Sequence, residues 1–204
     1  MYRQIVKGVP LEILYSAIEQ KQAELEESLT TIHQRQEQLR QDFDCQDNPE
    51  KFTQNDSACI QLAELAEQER TVLEEFNILS MISKTDGDFE DIRLAARDAH
   101  TCIIDENEFG TTLSTEEARL NNLADQSDNK YQDLIIEYKR LKKMPPDHLS
   151  QEELLRLYMS AERKIAKEKM RRDLFTLMAE RMLHEFHLKG REDPYNLEHD
   201  GLSL

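Results

Sequence analysis

Residues 150–189 read SQEELLRLYMSAERKIAKEKMRRDLFTLMAERMLHEFHLK, forty residues without a glycine or a proline. Just upstream, Pro145-Pro146 cannot continue a helix, because proline lacks the backbone N–H and its ring clashes with the preceding turn. Ser150 and Glu153 then form an S-x-x-E capping box, which satisfies two orphan N–H groups reciprocally. Leu149 and Leu154 stand at the positions of a hydrophobic staple. Gly190 and Pro194 mark the end. At 1.5 Å per residue the predicted helix is about 60 Å long.

Composition agrees with long helices elsewhere. The chain of 204 residues has only five Gly and five Pro, no Trp, 6% aromatics and 33% charged residues. An all-β or α/β chain needs far more turn chemistry. The expected fold is all-α, elongated antiparallel helical hairpins of coiled-coil character, with residues 1–9 as a flexible leader and 190–204 as a flexible tail.

Working back from Pro145, a helix is predicted over 115–143. Ser114 and Glu117 suggest its capping box, and Leu120, Ala124, Tyr131, Leu134, Tyr138 and Leu141 its seam. It closes on Lys139, Arg140, Lys142 and Lys143, cations suited to the negative end of the helix dipole. With the 150–189 helix it makes a predicted hairpin over 115–189. Residues 85–114 are predicted as a short helix, with Phe89, Ile92, Ala96, Ala99 and Ile103 in register, and an acidic linker.

A second hairpin is predicted over 10–84. Leu11, Ile18, Leu25, Ile32 and Leu39 recur every seven residues, the mark of a coiled-coil seam. The companion row Leu14, Lys21, Ser28, Arg35 and Asp42 is apolar only once. Asn48-Pro49 and Ser57 are alternative starts for the second helix, and 84–88 is a turn.

Net charge is −16, unevenly placed. Residues 1–129 hold 11 Lys+Arg against 28 Asp+Glu, net −17, whereas 130–172 hold 12 against 7, net +5. The acidic total disfavours nonspecific nucleic-acid or anionic-membrane binding, while the basic middle suits an acidic partner, its own N-terminal half included. Cys45, Cys59 and Cys102 are odd in number and widely spaced, so a reducing, intracellular setting (cytoplasm, cytoskeleton or nucleus) is expected. No apolar run suggests a signal peptide or membrane insertion.

Three constellations carry chemistry. Asp105, Asn107, Gly110 and Glu116 fall at positions 1, 3, 6 and 12 of a twelve-residue loop that resembles an EF-hand calcium site. It departs from that pattern at Phe109, which has no oxygen to offer, and at Thr112. It implies a calcium-responsive regulator as one alternative. The basic region 139–172 offers nucleic-acid contact as another, although no aromatic interleaves 163–172 as a stacking platform requires. His184 and His187 lie three apart on the last helix, and a third metal ligand is lacking. No nucleophile elbow, phosphate loop or zinc-protease motif occurs.

The sequence therefore predicts a non-enzymatic structural or adaptor subunit, without cofactor or small-molecule substrate, that pairs with other helical proteins in a hetero-oligomeric intracellular assembly. The expected contact residues are Leu11, Ile18, Leu25, Ile32 and Leu39, together with Phe175, Met178, Met182 and Phe186 in a docking zone from Leu174 to Leu188.

Overall fold

A computed structural model describes residues 2–42, 56–83, 89–96, 100–146 and 148–189. Its elements in order are β1 (Tyr2–Lys7), α1 (Leu11–Asp42), α2 (Asp56–Ser83), α3 (Glu90–Ala95), β2 (His100–Asp105), α4 (Glu106–Lys143) and α5 (Gln151–Lys189). Among the described residues the chain is a bundle of five helices, in keeping with the helical class read from its sequence. The β-structure among the described residues is one two-stranded antiparallel ribbon, in which Tyr2 stands opposite Asp105 and Lys7 opposite His100.

The ribbon alters two expectations. Tyr2–Lys7, expected as a leader, is a strand, and Ile103, expected on a helix, lies in β2. The physical reason is the run Thr101-Cys-Ile-Ile104, whose β-branched side chains favour extended backbone. A two-stranded ribbon is marginal alone, and here both strands also pack on α4. Gly8 then takes φ 91°, a left-handed conformation that favours glycine, and turns the chain from β1 into α1.

Helix α4 begins at Glu106, so Ser114 lies inside it and is not a cap. Gly110 is tolerated within it at a cost of about 1 kcal/mol. The capping box of α5 does form: Ser150 N–H donates to Glu153 Oε2 (2.9 Å) and Glu153 N–H to Ser150 Oγ (3.3 Å).

One core gathers sections of all five helices. It contains Ile13, Leu14 and Ala17 of α1, Ile78 and Ile82 of α2, Ile92 of α3, Leu120 of α4, and Met170, Leu174, Phe175 and Met178 of α5. Phe89, immediately before α3, is fully enclosed in it. Helices α1 and α2 meet each other and both meet α5, while α4 packs along α5. Helix α5 is thus the element against which the other four are arranged.

Candidate functional site

The middle of α5 is where the helices are tied by charge. Lys169 pairs with Glu75 of α2, whose side chain is 4% exposed. Arg171 Nε meets Asp91 of α3 at 3.1 Å, and its Nη1 meets Glu168 at 2.8 Å. Arg172 reaches Asp128 of α4 at 3.0 Å and lies over the Tyr131 ring at 5.0 Å. Asp173 receives Lys21 of α1 at 2.7 Å. Each of the other four helices therefore sends a charged side chain to one two-turn segment. Burial works against the charge on Arg172, but its bonds to Asp173 and then Asp128 outweigh it and push the guanidinium up.

Beside this belt lies a cavity of about 300 Å³ between α2, α4 and α5. Tyr138 donates to Glu162 and stacks edge-on against Tyr158, ring centroids 6.0 Å apart. Arg70 bonds both Glu67 (2.7 Å) and Glu162 (2.8 Å). Lys142 sits 4.6 Å from the Tyr138 ring centre. Burial, then the bond to Glu162, pushes the Tyr138 phenol up. The bond to Arg70 holds the Glu67 carboxyl down. The bond to Tyr138 pushes the Lys142 ammonium up. These shifts favour a neutral phenol and charged Glu67 and Lys142, so the groups lock one another in place.

The expected contact residues occupy other places than foreseen. Leu25, Ile32, Leu39, Phe175, Met178 and Met182 are buried within this chain, and Ile18 packs against the core. Within this chain these seam positions face its own helices. Leu11 remains 37% exposed. Phe186 lies on α5, its side chain outside the described residues, as are those of His184 and His187. The docking zone from Leu174 onward is core through Met182.

The segment read as an EF-hand-like loop takes a different local structure from the one expected. Asn107 and Glu116 lie on the continuous helix α4, and Asp105 ends β2. Nine residues of helix separate Asn107 from Glu116 by about 14 Å, whereas calcium ligands must converge to roughly 2.5 Å from one ion. Among the described residues no three His, Cys, Asp or Glu side chains are grouped to hold a metal. The nucleic-acid reading also loses ground in its second half, because Arg163, Lys169, Arg171 and Arg172 face Glu74, Glu75, Asp91 and Asp128.

The N-terminal end of α5, whose sequence is apolar beyond a single stripe, keeps an open apolar surface. On the first turns of α5, Leu155 and Met159 are each 58% exposed, and Met144 protrudes from the end of α4. The signal was present, since Leu155 widens the apolar face of α5 beyond one stripe. No helix among the described residues is long and apolar enough to cross a membrane. Comparison with known protein families, with curated proteins and with solved structures gives no match.

Proposed function

We propose that this chain is a non-enzymatic structural or adaptor subunit that pairs with another helical protein in an intracellular multi-protein assembly of cytoskeletal, spindle or kinetochore, or tethering type. In this reading α1 with α2 and α4 with α5 are antiparallel hairpins. Support for the second comes from Tyr138 facing Tyr158 near the connecting residues, while Asp128 faces Arg172 farther from them.

The observation that carries the proposal is the pair Leu155 and Met159. They lie one turn apart on the same helix face. That face, farther along α5, receives the core contacts of Ala166, Met170 and Leu177. On that face Glu162 is held by Arg70 and Tyr138, and beyond it Met159 and Leu155 stand in solvent. An apolar helix face left bare in this way is the ordinary seat of an incoming helix. Coiled-coil pairing there would extend the bundle by one helix.

The test is native co-purification of the full chain with crosslink mapping. Partner crosslinks are expected to fall on residues 144–160 and to vanish in Leu155→Glu/Met159→Glu, with the thermal transition of the chain unchanged. Crosslinks that ignore this double substitution, or none at all, would overturn the reading.

A further inference from the structure

Most cations of the α5 belt are neutralised within the chain, but those at the end of α4 are not. Lys139, Arg140 and Lys143 are exposed, and none makes an ion pair among the described residues. With Ile136, which is 66% exposed, they fall at i, i+3, i+4 and i+7, on one helix face. That face is opposite the one that carries Leu120, Tyr131 and Tyr138 toward α5.

Helix α1 carries the matching pattern with the opposite sign. Glu12, Glu19 and Glu26 are exposed, make no ion pair among the described residues, and share a face with Tyr15, itself 53% exposed. Their spacing, i, i+3, i+7 and i+14, also keeps them on one helix face. That face points away from Leu14, Ala17 and Lys21, the residues by which α1 meets the core and α5. Each stripe is therefore an exposed apolar side chain beside charges that make no ion pair, acidic on α1 and basic on the C-terminal side of Ile136 on α4, where the exposed Asp133 lies one turn before it, and each is turned outward from the same bundle. The two cannot meet within one chain.

We propose that the outer face of α4 in one copy docks on the outer face of α1 in a second copy, with Tyr15 and Ile136 in the apolar centre and carboxylates against Lys139, Arg140 and Lys143. Charge complementarity selects this occupant. A polyanion suits the stripe less well, because Tyr131 and Tyr138 are turned inward beneath Arg172 and against Tyr158, which leaves no ring on that face for bases to stack on. At physiological salt the screening length is about 8 Å, so the local attraction outweighs the repulsion between two acidic bodies. Exposed pairs are individually weak, so a dissociation constant on the order of 10–100 µM is expected.

Analytical ultracentrifugation of the full chain tests this. Concentration-dependent association is expected at about 0.15 M salt and is lost at about 1 M. Lys139→Glu/Arg140→Glu/Lys143→Glu should abolish it, as should Glu12→Lys/Glu19→Lys/Glu26→Lys. The two sets combined in one chain should restore it. Circular dichroism checks that each variant keeps its helix content. A wild-type chain that stays monomeric to about 500 µM, or association that survives both single-face reversals, would overturn the proposal.

Discussion

The ammonium of Lys21 on α1 lies 2.7 Å from Asp173 on α5, with side-chain exposures of 11% and 14%. Lys21 stands in a row that heptad logic reserves for apolar residues, and its partner comes from 152 residues away. Removing one member of an enclosed pair leaves the other charge uncompensated, at a typical cost of 3–5 kcal/mol. Arg172 also holds Asp173, at 2.7 Å, and softens the loss. Lys21→Met is therefore expected to lower unfolding free energy by about 2 kcal/mol, and Lys21→Met/Asp173→Leu to recover most of it. Urea denaturation of both variants checks this; equal losses in the single and the double would show that the pair is not coupled.

Core and surface apolar residues of α5 should separate cleanly. Phe175 is enclosed among Leu174, Met178 and the helices packed on them. Phe175→Ala should cost about 3–5 kcal/mol, through lost transfer energy and the cavity left behind. Met159→Ala, on the open face, should stay within about 0.5 kcal/mol. A thermal or urea comparison that ranks the two the other way would contradict the core described above.

These residues also show what the sequence could and could not reveal. The start of α5 was legible because a capping box is local chemistry, four residues long, and Ser150 and Glu153 form it as read. The basic waist was legible as charge, and its intrachain acidic seat was one of the readings that charge allowed. The destination of the seams was not legible. Leu25 and Phe175 carry the same pattern whether a seam closes on the same chain or on another, because periodicity reports a buried face and not what buries it. The ribbon was missed because Tyr2–Lys7 and His100–Asp105 pair across nearly the whole front half, and six-residue segments of mixed polarity do not distinguish strand from helix. Gly110 was read as part of an acidic linker, yet the preceding strand delivers the chain directly into α4.

The capping box should be visible in a titration. Ser150, through its hydroxyl and then its backbone N–H, holds the Glu153 carboxyl below its ordinary range. A carboxyl depressed on folding contributes stability above its unfolded pKa and loses it as pH falls through the folded value. The NMR midpoint of Glu153 should therefore lie below that of an ordinary glutamate, and Ser150→Ala should raise it. A midpoint indifferent to Ser150 would show that the box does not persist in solution.

The phenol of Tyr138 should titrate late among the six tyrosines. Burial is the leading cause and the bond to Glu162 the next, with Lys142 opposing both. A phenol raised on folding contributes stability that is present below its unfolded pKa and is lost as pH climbs through the folded one. Absorbance titration should show one phenolate forming after the others, and Tyr138→Phe should delete that step. Glu162→Gln should bring it only part of the way down, because burial remains when the carboxylate is gone. Tyr138→Phe should also cost about 1 kcal/mol at neutral pH, the worth of one hydrogen bond, since the ring contact with Tyr158 survives. If the late step persists in Tyr138→Phe, another tyrosine is the shielded one and the packing between α4 and α5 differs from that described.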